Sequence, residues 1–237
     1  MDDNYAGVKT RDFLVSTLTF AAGFIDALIF LILGGVFASF MSGNTLTLGL
    51  RIGIGNFSLA LNSMMAVLGY IGGVALGANI GYQTLISDKV WPQTVTKILT
   101  AEFLMIIIFT SLGFTSGYFS PNVVYLLVLL ASISMGMQST AVRVLGISGV
   151  STTYVTGTWT TFIINLITIR RSHNESQRTV KRKQDTIIQV LTLVTYVMGA
   201  ASGGLMVSQF LFKATIIPVC IIGFVLIVAR IRFHQTD

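Results

Sequence analysis

Gly35-Val36-Phe37-Ala38-Ser39-Phe40-Met41-Ser42-Gly43-Asn44 and Gly149-Val150-Ser151-Thr152-Thr153-Tyr154-Val155-Thr156-Gly157-Thr158 resemble one another at a constant offset of 114 residues. Each stretch follows one long apolar run and precedes another. Each is too rich in Gly, Ser and Thr for an ordinary membrane span. Duplicated, interrupted polar segments between apolar helices are how many transporters and channels assemble a central site. The pair therefore points to a duplicated membrane protein with one broken segment in each half.

Composition agrees. The chain has 237 residues, of which 53% are hydrophobic and 10% charged, and its mean hydropathy is +0.80. A soluble domain carries about 25% charged residues, so a polytopic membrane protein is the class that fits. The net charge of +6 does not indicate nucleic acid, because the basic residues lie almost entirely between apolar runs. The single cysteine, Cys220, rules out an intrachain disulfide and a cysteine-based metal site. The N-terminus lacks the basic start of a signal peptide, and its first apolar run is long enough for a retained helix. No nucleotide loop, nucleophile elbow or zinc signature is present, and no cofactor or enzymatic activity is expected.

Six helix candidates follow from the apolar runs, at about 13–33, 59–82, 98–116, 121–142, 187–207 and 214–229. Pro121 suits the first turn of the fourth, and Pro218 is expected to kink the sixth. With six spans, the side holding both termini carries Lys9, Arg11, Lys89, Lys97, Arg170, Arg171, Arg178, Lys181, Arg182, Lys183, Arg230 and Arg232, against Arg51 and Lys213 opposite. Both termini are therefore expected in the cytoplasm.

The duplication extends beyond the broken segments. Tyr70, Gly73, Ala75 and Gly77 match Tyr196, Gly199, Ala201 and Gly203 at an offset of 126. Gly23 resembles Gly136. The expected fold is all-α and polytopic: one membrane domain, 1–237, with a first half at 13–116 and a second at 121–232. Three spans plus one broken or re-entrant segment per half make the second half inverted, a 3+3 repeat. The stretch Arg51–Phe57 holds one basic residue and its counterpart Arg170–Lys183 six, the asymmetry that inversion leaves. Eight spans, with both broken segments crossing fully, is the competing count.

The candidate site residues are Asp26, Ser42, Gly43, Asn44, Thr45, Gln138, Arg143, Thr156, Gly157 and Thr158. Glycine beside hydroxyl and amide side chains suits an extended strand turning into a half-helix near Gly43 or Gly157, with Ser, Thr or Asn capping its free N–H groups. Two such N-termini favour an anion, a carboxylate or a polar neutral solute. Tight helix packing explains the same small residues. Asp26 lies mid-way along the first helix, where a carboxylate costs most. It suits cation binding, proton relay or a structural pair with Arg143. Glu102 is expected to snorkel or pair with Lys97. Gly69, Gly73, Gly77 and Gly81 form a face for close helix approach, either between the halves or between subunits of a homo-oligomer.

Gly23-Phe24-Ile25-Asp26-Ala27, Met41-Ser42-Gly43-Asn44, and Met135-Gly136-Met137-Gln138 through Arg143 to Thr152–Thr158 together resemble the YoaK-like family of small bacterial membrane proteins, a domain of unknown function. Ser42 replaces the family's usual Thr, and Ser139 its usual Asn after the Gln. The resemblance covers nearly the whole chain. It implies a bacterial plasma membrane location and no particular substrate. The expected function is a small-solute transporter or channel-like permease. The alternative is a non-transporting scaffold or sensor that binds a partner through Arg170–Lys183, a run basic enough to meet the lipid bilayer's anionic headgroups.

Overall fold

A computed structural model describes residues 2–82, 89–116, 120–147, 155–171 and 177–233. The helices among them are α1 (Asp2–Ile32), α2 (Met41–Gly53), α3 (Phe57–Gly81), α4 (Gln93–Thr115), α5 (Pro121–Val144), α6 (Val155–Arg171), α7 (Gln177–Phe210) and α8 (Ile216–Phe233). The described residues contain no strand. Among the described residues, five stretches are long and apolar enough to cross a membrane: Ala6–Ile32, Phe57–Gly81, Gln93–Thr115, Pro121–Val144 and Arg182–Phe233. The last, of 52 residues, holds both the fifth and the sixth expected spans. It is bent between α7 and α8 by the 3-10 turn Leu211–Thr215, where Leu211 takes a φ of 51°. Pro121 begins α5 as expected. Pro218 does not kink a helix. It falls in the first turn of α8, where its missing N–H would have had no helical partner.

The two halves interlock. The most extensive contacts are α1 on α7 and α3 on α5, so the first helix of each half packs on the third helix of the other. The same exchange relates α4 on α5 to α8 on α1, and α2 on α3 to α6 on α7. Glycine permits the two main crossings. A Cβ on Gly23 would come within 3.0 Å of the Tyr196 carbonyl oxygen, and one on Gly136 within 3.0 Å of the Tyr70 carbonyl oxygen. Gly199 lies equally close to the Phe20 carbonyl, and Gly73 to that of Ile133. These are one set of contacts made twice. Gly23 and Phe20 map onto Gly136 and Ile133 at an offset of 113, and Tyr70 and Gly73 onto Tyr196 and Gly199 at 126. Phe20 faces Gly199 and Phe24 faces Gly203, so α1 and α7 run parallel. Leu129 facing Gly69 and Ile133 facing Gly73 make α3 and α5 parallel too. The glycine stripe thus serves contact between the halves.

The two faces of α3 give a direct test. Gly73 is pressed against backbone, whereas nothing lies within 4 Å of a Cβ on the adjacent Gly72. Gly73→Ala must push two helices apart, an overpacking cost of about 1–3 kcal/mol or more. Gly72→Ala removes backbone freedom without a clash and is expected to be neutral or stabilising by up to ~1 kcal/mol. Thermal unfolding of both variants in detergent should show a clear loss for the first only. Equal melting temperatures would contradict the close approach of α3 and α5.

Candidate functional site: a clamped re-entrant segment

The chain leaves α1 through Gly34 (φ 87°) and Gly35 (φ 68°), a left-handed pair that turns it back toward the protein interior. By Ser39 it has returned to the level of Asp26, six residues before the end of α1. From Met41 it runs outward again as α2, and Arg51 near the end of α2 reaches the carbonyls of Gly34 and Gly35. The chain thus dips in and comes back to where it started. Thirteen residues of α2 extend about 20 Å, short of a ~30 Å hydrocarbon core.

Backbone that is not helical is tolerated at such depth only if its polar groups find partners. Here side chains supply them. Asn62 Nδ2 donates to the Leu33 carbonyl at 2.5 Å. Arg51 Nη2 donates to the Gly34 and Gly35 carbonyls, both at 2.9 Å, while its Nη1 donates to the Leu59 carbonyl at 3.0 Å and to Ser63 Oγ at 2.7 Å. Asn44 folds back on Phe37, accepting its N–H at 2.9 Å and donating to its carbonyl at 2.7 Å. The asparagine therefore braces the extended stretch and does not cap α2, whose N-cap position, Phe40, has no side-chain cap. Phe37 stacks on Phe30 and meets Phe40 edge-on. Gly43 leaves the room that the Phe40 ring occupies.

Asp26 closes the arrangement. Its Oδ1 accepts the Ser39 N–H at 2.7 Å. Its Oδ2 accepts the Ser39 hydroxyl at 2.5 Å and the Tyr196 hydroxyl at 2.7 Å. The carboxylate is 2% exposed and holds the broken segment of one half to α7 of the other. It is not paired with Arg143, which is exposed in the last turn of α5. The geometry recurs in the second half without the charge. Tyr70 donates to Ser139 Oγ at 2.9 Å, and Ser139 stands where Asp26 stands in the first half, at an offset of 113. In each crossing the tyrosine's carbonyl abuts a glycine, while its hydroxyl reaches the residue three further on. Asn165 Nδ2 donates to Gln189 Oε1 at 3.4 Å. These positions match Arg51 and Ser63 at offsets of 114 and 126.

The other expected site residues are dispersed. Ser42 and Thr45 are exposed on α2, and the Thr45 hydroxyl bonds the Met41 carbonyl within the helix. Gln138 is buried at the α1–α5 contact, donating to the Leu18 carbonyl at 3.2 Å while its Oε1 has no partner. Thr156 is exposed, Gly157 half-buried and Thr158 buried in the first turn of α6, while residues 148–154 lie outside the described residues. α2 packs on α3 and α6 on α7. Glu102 neither snorkels nor pairs with Lys97. It is fully buried with neither carboxylate oxygen hydrogen-bonded, and Lys97 is exposed. Sequence reasoning missed Ser39, and it noted Tyr70 and Tyr196 only as repeat markers. That both tyrosines recur one turn before a repeated glycine was the available signal.

Arg51→Met keeps the aliphatic stem and withdraws four hydrogen bonds from the mouth of the dip. A loss of about 1–3 kcal/mol is expected in an unfolding titration. Arg51→Lys should recover only part of it, because one ammonium cannot imitate the guanidinium fork. A wild-type unfolding curve for Arg51→Met would show that water replaces the guanidinium.

Comparison with known proteins bears on the whole chain. The UPF0700 transmembrane protein YoaK of Bacillus subtilis (strain 168) is 33% identical over 222 residues, which cover 94% of this chain and 95% of that protein. No solved structure matches. The family described as "Protein of unknown function (DUF1275)" matches residues 14–228. With apolar helices that suit repeated membrane crossing and a match of that extent, the chain belongs to the DUF1275 family of multi-pass transmembrane proteins.

Proposed function

We propose that this protein is a permease for a small polar solute, built as a 3+3 inverted repeat with six spans. The observation that carries the reading is the Asp26 clamp: a buried carboxylate joins a re-entrant segment of one half to a helix of the other. A residue that only locked two helices together would not need a broken segment beside it. Interrupted backbone at the contact between two repeats is the arrangement in which transporters bind solute and coupling ions. Ionisable residues inside spans are costly to keep and mark such pathways. Counting Arg182–Phe233 as two crossings and α2 as a dip gives six spans, and α6 is its counterpart in the second half. The fit to an anion is weaker than the half-helix start alone suggested, because Asp26 already places negative charge beside the start of α2. A polar neutral solute or a cation suits the site better.

Solute flux is testable in proteoliposomes with panels of small polar, cationic and anionic metabolites. We expect uptake of at least one class, with Asp26→Asn lowering the rate at least tenfold while the protein still unfolds cooperatively. Asp26→Asn at wild-type flux would remove this residue from the pathway. Absence of flux, or of ligand-induced thermal stabilisation, across the whole panel would contradict the permease.

The span count is tested separately with single cysteines at Asn122 and Gln184, both exposed, in a Cys220→Ser background. Six spans place them on opposite sides of the membrane, so an impermeant thiol reagent added outside should label only Asn122→Cys. Eight spans place both inside, and protection of both positions would overturn the six-span reading.

A further inference from the structure

A second concave site lies far along the molecule from the clamp, where the start of α4 meets the end of α8. It is an open depression of about 400 Å³ lined by Gln93, Thr96, Lys97, Thr100 and Arg230. The four α4 residues follow the i, i+3, i+4, i+7 spacing of one helix face. Arg230 enters from the last turn of α8. The wall is fixed by an aromatic pair, since Trp91 stacks on Phe233 with ring centroids 5.6 Å apart and planes 9° from parallel. The Trp91 indole N–H donates to Thr96 Oγ1 at 2.9 Å, which sets that hydroxyl in place.

The electrostatics of this depression are one-sided. Among the described residues, two cations and three neutral polar side chains line it, and no carboxylate does. Among the same residues, neither Lys97 nor Arg230 has a hydrogen-bond or ion-pair partner. Two unpaired cations facing one concavity repel each other, and an anion between them relieves that cost. The two cations supply charge-assisted donors for the several oxygens of a phosphate group. Both helices that form it are apolar enough to span the membrane.

We propose that this depression binds a phosphate-bearing anion between Lys97 and Arg230. Two sources offer that chemistry: the headgroup of an anionic phospholipid in the leaflet that meets these helix ends, and free phosphate. The basic pockets between spanning helices on the positively charged side of membrane proteins favour such ligands. The site is independent of the permease reading, as it shares no residue with the clamp.

The test compares wild-type protein with Lys97→Gln/Arg230→Gln, both positions being exposed, and with Lys213→Gln/Arg232→Gln, also exposed and outside the lining, as a charge-matched control. Each is titrated in detergent micelles with phosphatidylglycerol, with phosphatidylcholine and with inorganic phosphate, and read by melting temperature and by native mass spectrometry. Wild type and control should bind phosphatidylglycerol in preference to phosphatidylcholine, and the Lys97→Gln/Arg230→Gln variant should bind it about thirtyfold more weakly. Stabilisation by phosphatidylglycerol alone assigns the lipid headgroup; stabilisation by inorganic phosphate as well assigns the free anion. If neither ligand binds, or if the Lys97→Gln/Arg230→Gln variant binds as tightly as the control, the proposal fails.

Discussion

Everything in this molecule depends on two helix crossings at which a carbonyl oxygen occupies the space that a side chain would otherwise fill. Membrane helices gain little from burying apolar surface against one another, since lipid is equally apolar, so close backbone packing must hold them. Gly23, Gly199, Gly73 and Gly136 supply that closeness. Because each crossing joins one half to the other, the halves do not form separate bodies. They share one continuous core running through Phe24, Ile25, Phe109, Leu127 and Ala131.

The crossings also position the clamp. Tyr196 lies with its carbonyl on Gly23, which brings its hydroxyl to Asp26 on the same face of α1. Asp26 offers both of its oxygens to Ser39, sharing Oδ2 with Tyr196, and the broken segment is drawn in. The carbonyls of Leu33, Gly34, Gly35 and Phe37 are met by Asn62, Arg51 and Asn44. A helix that stops inside a bilayer leaves groups that water cannot reach. The polar side chains of α2 and α3 are explained by that demand before any solute is considered. What it does not explain is the charge: Ser139 makes the equivalent bond to Tyr70 with a hydroxyl alone. A carboxylate in one half and a hydroxyl in the other is an asymmetry that folding does not require. It is the strongest reason to look for solute chemistry at Asp26.

Glu102 poses a different question. A fully buried carboxylate whose oxygens meet no donor is rare in folded proteins. No side chain of the described residues answers it, and Lys97, its expected partner, faces the depression at the start of α4.

The sequence by itself determined the membrane class and the helical fold, because each rests on local information. Apolar run length marks the helices long enough to span, and the glycine, serine and asparagine residues between Gly35 and Asn44 interrupt the apolar pattern there. The choice of Asp26 was legible for the same reason, since charge is costly in an apolar run wherever the run folds. Only the tertiary structure decided the partners. Asp26 met Ser39 and Tyr196 and not Arg143 because a residue 170 positions away was carried to it by the α1–α7 crossing. Asn44 braces Phe37 because the returning segment brings the Phe37 backbone within its reach. Those outcomes depend on which helix lies beside which, and spacing along one chain does not encode that distance.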